Sequence, residues 1–78
     1  MLKDLLEFLA KSLVDKPEEV HVQATETDDA TVVLELSVAK EDVGKVIGKQ
    51  GRIARALRTI VKASAVRDGK RAIVEIVD

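Results

Sequence analysis

Several residue types are absent or nearly so in this 78-residue chain. It has no cysteine, tryptophan or tyrosine, and only one proline, one phenylalanine and one histidine. Without cysteine, disulfides, thiol chemistry and zinc sites with cysteine ligands are excluded. His21 is the only soft metal ligand, and because it lies on the polar side of a predicted strand with no second histidine, it is interpreted as a surface residue. No cofactor is predicted.

Long apolar runs are also missing. A membrane-spanning helix needs about 20 consecutive apolar residues, whereas the leucine-rich start of the chain is interrupted by four charged residues, Lys3, Asp4, Glu7 and Lys11. This segment fits neither a membrane anchor nor a signal peptide, and we expect a cytoplasmic protein. No nucleophile, base and orienting residue form a recognisable trio, and there is no Walker loop, so no enzymatic activity is predicted.

The net charge of −1 hides a segregation of charge along the chain. Residues 1–42 carry eleven acids against four lysines. Residues 43–67 carry seven cations and no acid at all. Because the field near a patch depends on the charges around it, this basic segment predicts a local site for a polyanion on a nearly neutral protein.

Apolar periodicity predicts the elements of the first half of the chain. A helix is expected over residues 1–16, where leucines recur three and four residues apart and Pro17 ends the pattern. Alternation of apolar and polar residues predicts a β-hairpin over 19–38, with its turn at Thr27-Asp28-Asp29-Ala30.

The second half predicts two helices and a strand. A helix–Gly-Lys-Gln-Gly–helix unit is expected over 41–66. In its longer helix Ile53, Leu57, Ile60 and Ser64 trace the buried stripe, and Ala54 and Val61 widen it. Asp68-Gly69 turns the chain into a final strand over 71–78. Two helices between the second and third strands leave room for a right-handed crossover, so these strands can pair in parallel.

These elements predict an α+β fold in the order αββααβ. We expect a three-stranded mixed sheet with three helices on one face, formed by residues 1–78 as a single domain. A domain of this size buries only about 60–65% of its unfolded surface, so its stability is expected to be modest or supplemented by a partner.

The loop Gly48-Lys49-Gln50-Gly51, hereafter the GKQG loop, carries the predicted chemistry. Its two glycines let the backbone turn sharply and approach a sugar-phosphate chain without intervening Cβ atoms. The amides that open the following helix are unpaired and lie at the positive end of its dipole, which favours a phosphate there. Lys49 adds a mobile cation.

Basic side chains continue from this loop along the next helix. Arg52, Arg55, Arg58 and Lys62, hereafter the basic face, spread over roughly 120° of the helix surface. The predicted ligand-binding residues are Lys45, Val46, Ile47, Gly48, Lys49, Gln50, Gly51, Arg52 and Arg55.

Each feature also has a simpler explanation. A Gly-x-x-Gly sequence can be a helix C-cap followed by a turn, and a row of arginines can be a solvated helix face. Such faces usually mix charges, however, and this one has no acidic partner three or four residues away. Phe8, the only aromatic residue, is expected either at the margin of the core or in a subunit contact.

At Val46-Ile47-Gly48-Lys49-Gln50-Gly51 the sequence resembles the KH domain. The KH signature is a hydrophobic residue and isoleucine before a Gly-x-x-Gly loop, which clamps about four nucleotides of single-stranded nucleic acid. The element order resembles the type II, bacterial, arrangement. The resemblance implies that bases lie in an aliphatic groove, for which the candidates are Val43, Val46, Ile47, and Ile53 or Ala54. The pattern departs at Ala54, where KH domains often have isoleucine, so the implied groove floor is shallower.

Nearly the whole chain resembles the KhpA (YlqC) family of small bacterial single-KH proteins. The matching segments are Asp42 to Arg52 and Ala56 to Ala63. This resemblance implies a single-stranded RNA-binding protein that acts as an RNA chaperone or post-transcriptional regulator in cell elongation and envelope growth. It also implies a homodimer, or a heterodimer with a KH protein of the KhpB (Jag) family.

A second function stays open from the residues alone. The acidic half or the first helix could bind a protein, with only incidental affinity for nucleic acid, because the core is small and the hairpin edge is exposed. Both functions can hold together, since a dimer gains avidity from a second RNA site.

Overall fold

The computed structural model describes residues 1–77 and contains three helices and three strands. In chain order the elements are α1 (Leu2–Leu13), β1 (His21–Glu26), β2 (Thr31–Ser37), α2 (Val43–Ile47), α3 (Arg52–Arg67) and β3 (Arg71–Val77). Single 3₁₀ turns at Pro17–Glu19, Lys40–Asp42 and Lys49–Gly51 precede β1, α2 and α3. The predicted order αββααβ is therefore confirmed.

The sheet is mixed and has the strand order β1-β2-β3. β1 pairs antiparallel with β2, with Val22 opposite Leu36. β2 pairs in parallel with β3, with Leu34 opposite Val74. The predicted crossover through α2 and α3 is confirmed, and β3 lies at one edge of the sheet.

One face of the sheet packs against the helices and forms the core. Its buried strand residues are Val22, Val32, Leu34, Leu36, Ala72 and Val74, and its buried helix residues are Leu2, Leu6, Ala10, Val46, Leu57, Val61 and Ala65. Residues that alternate with them, such as Gln23, Glu35 and Glu75, are exposed on the other face. The structure thus confirms an α+β fold with its helices on one side.

The first helix is shorter than the sequence predicts. α1 ends at Leu13 and not at residue 16, because Val14 is extended with φ −99° and ψ 162°. The backbone N–H groups of Asp15 and Lys16 donate to the side chain of Asp42, which lies 27 residues after Asp15 and 26 residues after Lys16. These amides are thus turned away from the helical direction.

Other predicted boundaries shift by a few residues. The predicted hairpin over 19–38 has its strands at 21–26 and 31–37, since Glu19 lies in a 3₁₀ turn. The helix predicted to begin at residue 41 begins at Val43, again after a 3₁₀ turn, and α3 extends one residue beyond the predicted end at 66. The final strand covers 71–77, and its predicted last residue, Asp78, lies outside the described residues.

The buried face of α3 differs in part from the predicted one. Ala54, Leu57 and Val61 are buried as predicted and Ala65 is buried as well, whereas Ile60 is 44% exposed. The helix is rotated so that its small residues face the sheet and Ile53 and Ile60 lie toward α1. Among residues 1–77, none of the helices combines the length and apolarity that crossing a membrane requires.

Candidate functional site

The GKQG loop connects α2 to α3 through a backbone that glycine makes possible. Gly48, Gln50 and Gly51 all have positive φ, at 76°, 59° and 73°. The N–H of Gly48 donates to the carbonyl of Gly44 at 2.9 Å and closes α2, and the N–H of Gly51 donates to the carbonyl of Gly48 at 3.2 Å. The loop therefore caps the C-terminus of α2, as the simpler explanation of the Gly-x-x-Gly sequence predicts. It also turns the chain sharply into α3.

The two loop glycines have different physical roles. A Cβ atom on Gly48 would lie 2.6 Å from Cγ1 of Ile53, and the Gly48 ψ of 175° is in a region open essentially to glycine alone. A Cβ atom on Gly51 would meet nothing within 4 Å. Gly48 is thus required by packing and backbone geometry, whereas Gly51 leaves an open space above the start of α3.

The polar side chains of the loop lie in solvent. Lys49 and Gln50 are exposed, as are Arg52 and Arg55 at the start of α3. The Arg52 guanidinium Nη2 lies 3.5 Å from Oε1 of Gln50. No side chain caps the N-terminus of α3, so the positive end of this helix faces the loop without a compensating acceptor from a side chain.

Most of the cations of the basic segment have no acidic partner. Within residues 1–77, no salt bridge involves Lys49, Arg52, Arg55, Arg58, Lys62 or Arg67. Their charges therefore add to a positive surface that begins at the GKQG loop and continues along α3.

Lys45 is the exception among the predicted binding residues. Its Nζ lies 2.8 Å from Oδ2 of Asp15 and 3.4 Å from Oδ1 of Asp42. Hydrogen bonds to the carboxylates of Asp15 and Asp42 raise the pKa of the Lys45 ammonium above its ordinary value. The structure thus gives Lys45 two internal partners, and its charge is largely balanced.

Asp42 holds the start of α2 against the segment after α1. Its side chain is only 1% exposed, and it accepts the backbone N–H of Lys16 at 3.0 Å and that of Asp15 at 3.3 Å. Burial raises the pKa of the Asp42 carboxyl, but the hydrogen bonds from Lys16, Asp15 and Lys45 outweigh burial and hold the pKa below its ordinary value. Asp42 is thus a buried, charged residue that stabilises the contact between the start of α2 and the segment after α1. The sequence reasoning did not identify this role.

Asp42→Asn is expected to lower the melting temperature at pH 7, because an amide brings N–H donors toward backbone donors and removes the charge. Since the folded pKa of Asp42 is depressed, its stabilisation is complete above the unfolded value of about 3.9 and is lost as pH falls through the lower folded value. The difference in melting temperature between the wild type and the variant should therefore become smaller below about pH 4.

The control for this experiment is Glu18→Gln, which neutralises an exposed carboxylate in the same part of the chain. Its melting temperature should follow the wild type at each pH. A gap for Asp42→Asn that stayed constant from pH 7 to about pH 2.5 would show that the charge of Asp42 does not stabilise the fold.

The predicted apolar groove residues fall into two groups. Val46 is fully buried in the core and Ala54 is 4% exposed, so the structure removes both from the surface that a ligand can reach. Ile47, Ile53 and Val43 are half-buried and remain accessible. Val46 points inward because α2 packs against α3 and α1, and its neighbour Ile47 is half-buried.

A groove of ≈ 570 Å³ lies where α2 begins and where β2 and β3 end. Its lining includes Val38, Val43 and Val77, with Lys40 at its side. Of these residues, the sequence reasoning identified only Val43. Val77 could not be assigned to this position without the parallel pairing that brings the end of β3 beside the end of β2.

Arg58 connects the basic face to the sheet. Its Nε donates to the backbone carbonyl of Val74 in β3 at 3.2 Å. Because β3 is an edge strand, this carbonyl points away from β2 and toward the open side. Arg58 thus lies along the sheet edge, while Arg55 and Arg52 extend into solvent.

Two isolated residues can now be placed. His21 is exposed, and within residues 1–77 no group of three or more histidine, aspartate, glutamate or cysteine side chains lies close enough to hold a metal ion. Phe8 is 68% exposed, so it does not belong to the margin of the core.

Comparisons with known proteins give a consistent family. A family model described as the KH domain of KhpA/KhpB matches residues 3–76. Proteins named RNA-binding protein KhpA from Clostridium acetobutylicum and Clostridium perfringens are 59% and 57% identical, each over 97% of this chain and 100% of the relative. The protein of that name from Aquifex aeolicus is 53% identical over 99% of this chain and 96% of its own length.

Solved structures share the fold at low sequence identity. The GTP-analogue complex of Era with nucleotides 1506–1542 of 16S ribosomal RNA matches 96% of this chain with a TM-score of 0.64 and 16% identity. The chain spans 28% of that protein's length. A second structure, Aquifex aeolicus Era bound to GDP and aluminium fluoride, gives the same TM-score.

Proposed function

The chain belongs to the KhpA/KhpB KH-domain family, and on that premise we propose that it binds single-stranded RNA through the GKQG loop and the basic face of α3. The observation that carries this proposal is the exposed loop, with its open glycine, at the start of a helix whose cations have no acidic partner among residues 1–77. The relatives that match over nearly the whole chain are named as RNA-binding proteins, which supports the assignment of the ligand.

The geometry suggests how the backbone of the RNA is held. A phosphate above Gly51 can approach the start of α3 closely, because no Cβ atom and no capping side chain occupies that space. Lys49, Arg52 and Arg55 supply mobile positive charges around it. Gln50 adds an amide that can donate to a phosphate or to a base.

Bases are proposed to lie on aliphatic side chains. Ile47, Ile53 and Val43 are accessible for this role, whereas Val46 supports the loop from within the core. Lys45 is proposed to position α2 and not to contact phosphate, because both of its partners are carboxylates of this chain. The binding set is therefore the predicted one, with Val46 and Lys45 in supporting positions.

Salt dependence tests this function directly. If the loop and α3 contact three or four phosphates, the logarithm of the binding constant should fall with the logarithm of the salt concentration with a slope of roughly −2 to −3. Fluorescence anisotropy with a labelled, randomised RNA of about ten nucleotides, at KCl concentrations from about 50 to about 300 mM, measures this slope. A flat response would contradict binding through phosphates.

A second surface favours self-association or a partner protein. A mostly apolar groove of ≈ 370 Å³, hereafter the α1/α3 groove, is lined by Leu9, Ser12 and Leu13 of α1 and by Arg52, Ile53, Ala56, Leu57 and Ile60 of α3. Leu13 is 38% and Ile60 44% exposed, and apolar side chains exposed together in one patch mark interaction sites. A homodimer, or a heterodimer with a KhpB (Jag)-type KH protein, is proposed to cover this groove.

The two surfaces share Arg52 and Ile53, which line the α1/α3 groove, but elsewhere they lie on different sides of α3. By the helical period, Ile60 is about 140° from Arg55 around the helix axis. A dimer formed through the α1/α3 groove would therefore leave the GKQG loop accessible and would gain avidity from two RNA sites. Sedimentation tests this: a strict monomer at tens of micromolar, with no co-purifying KH protein, removes the support for a dimer.

The biological role is proposed from family membership alone. By resemblance, the protein acts in the cytoplasm as an RNA chaperone or post-transcriptional regulator linked to cell elongation and envelope growth, as a single KH unit without catalytic activity. Crosslinking the protein to RNA in cells and sequencing the bound RNA tests this role. Recovery of no RNA above the level seen with a loop variant would contradict it.

A further inference from the structure

The face of the sheet that is turned away from the helices, hereafter the outer sheet face, is not covered by any element within residues 1–77. The pairing of the strands arranges its central side chains in three rows. The rows are Thr25, Val33 and Ile73; then Gln23, Glu35 and Glu75; then His21, Ser37 and Val77. None of these side chains is buried, although the core lies directly on the other side of the same strands.

The first and third rows expose apolar side chains to solvent. Ile73 is 49% and Val77 46% exposed, and Val33, which lies beside Ile73, is half-buried. A shallow groove of ≈ 320 Å³ crosses the second and third rows, and its lining includes Glu35 and Val77. Apolar side chains that are exposed among polar ones on a single face are typical of interaction surfaces.

The middle row carries two carboxylates side by side. Glu35 and Glu75 are direct partners in the parallel pairing of β2 and β3, and neighbouring strands lie about 4.8 Å apart. Both side chains are exposed, and neither forms a salt bridge within residues 1–77. Because like charges this close repel each other, a cation placed between the two carboxylates would be attracted to both.

These charges determine which occupant suits the outer sheet face. RNA is repelled from its centre, because each nucleotide carries a negative phosphate. A second copy of this chain, placed by a two-fold axis on the same face, would bring Glu35 and Glu75 of both copies together. The closest cation along β3, Arg71, lies four positions before Glu75, about 13 Å away at 3.3 Å per residue. A cationic segment of another protein is therefore the occupant that the charges favour.

We propose that the outer sheet face is a docking surface for an amphipathic, basic helix of a partner protein. An arginine or lysine of that helix lies between Glu35 and Glu75, and apolar side chains before and after it lie on Ile73 and Val77. Sheets in layered folds commonly bury a face against helices, and this sheet has helices on one face only. An arginine can also donate to both carboxylates through its planar guanidinium.

The spacing of the rows defines the sequence pattern of the partner helix. Successive rows are two residues apart along a strand, which is about 6.6 Å. Residues four positions apart on a helix rise by about 6 Å and lie on one side of it. The partner therefore carries an apolar, a basic and an apolar residue at positions i, i+4 and i+8. Because the outer sheet face lies opposite the helices, this docking is independent of RNA binding at the GKQG loop and of the α1/α3 groove.

A synthetic peptide of about 18 residues tests this surface. It carries leucine, arginine and leucine at positions i, i+4 and i+8 in a background of alanine and glutamine, and it is titrated against the full chain by fluorescence anisotropy. The dissociation constant should be about 100 μM or lower. Glu35→Gln combined with Glu75→Gln should weaken this binding about tenfold. Because that variant removes a repulsion between exposed carboxylates, it should melt at or above the wild-type temperature.

Matched controls separate the surface from net charge. Glu18→Gln with Asp68→Asn neutralises two exposed carboxylates outside the outer sheet face and should leave peptide affinity within about twofold. A peptide with glutamate in place of its arginine should bind at least about tenfold more weakly. No binding of the arginine peptide to the wild type, or equal losses in the two double variants, would overturn the proposal. So would a changed sedimentation coefficient of the Glu35→Gln, Glu75→Gln variant, which would assign the face to a second copy, or a loss of its affinity for RNA, which would assign the face to RNA.

Discussion

Gly48→Ala is expected to lower the free energy of unfolding by about 3 kcal/mol. Two costs add at this position. The backbone, at φ 76° and ψ 175°, is strained for any residue with a Cβ atom, and the new methyl group would lie 2.6 Å from Cγ1 of Ile53. Urea unfolding followed by circular dichroism measures the change.

The other glycines of the segment provide matched controls for Gly48→Ala. Gly51→Ala should cost only about 1 kcal/mol, because the left-handed backbone is the sole penalty and the space around it is open. Gly44→Ala, inside α2 with nothing within 4 Å, should be neutral or stabilise by up to about 1 kcal/mol. Equal losses for Gly48→Ala and Gly51→Ala would show that the Ile53 contact does not matter.

The packing cost can also be separated from the backbone cost. Combining Gly48→Ala with Ile53→Ala removes two of the three clashing atoms, Cγ1 and Cδ1, and leaves the Cβ at 2.9 Å, so the double variant should still be less unstable than the sum of the two single changes. An additive result would place the cost of Gly48→Ala in the backbone conformation and the contact with the remaining Cβ.

Lys49→Asp combined with Gln50→Asp is expected to lower RNA affinity about 100-fold, equivalent to about 2.7 kcal/mol. The change places two negative charges where phosphates are proposed to approach the start of α3. Stability should hold, because both side chains are exposed and aspartate tolerates the left-handed backbone that Gln50 adopts. Anisotropy titrations with a randomised ten-nucleotide RNA at fixed salt give the affinity.

The control for the loop variant carries the same change in net charge elsewhere. Lys3→Asp with Lys11→Gln lowers the net charge by three units at exposed positions on α1, and the loop variant lowers it by the same amount at the loop. Its RNA affinity should fall by no more than about threefold, through the long-range field alone. If the two variants lose affinity equally, net charge and not the loop governs binding.

Much of the fold follows from patterns that are local in sequence. The leucine spacing of α1, the alternation in β1 and β2, and Pro17 and Gly69 as interruptions each depend on a few neighbouring residues. The order of these elements was enough to predict the mixed sheet. The GKQG loop was also predictable, since two glycines and the basic segment can be read directly from the chain.

What could not be predicted depends on contacts between distant residues. A five-residue helix does not reveal which of Val46 and Ile47 faces the core, because its packing against α1 and α3 decides. The pairing of Lys45 with Asp15 joins residues 30 positions apart, and the bond from Arg58 to Val74 requires the crossover. For the same reason the sequence placed Ile60 in the buried stripe, whereas the structure leaves it 44% exposed.

The hydrogen bonds that the backbone N–H groups of Asp15 and Lys16 donate to Asp42 join the segment after α1 to the helix that leads into the GKQG loop. These bonds span 27 and 26 residues, so they exist only when the first helix has docked on the rest of the domain. An excised helix–loop–helix fragment lacks this anchor and the sheet. The N–H of Gly48, which donates to the carbonyl of Gly44, should therefore exchange with solvent more slowly in the whole chain than in such a fragment.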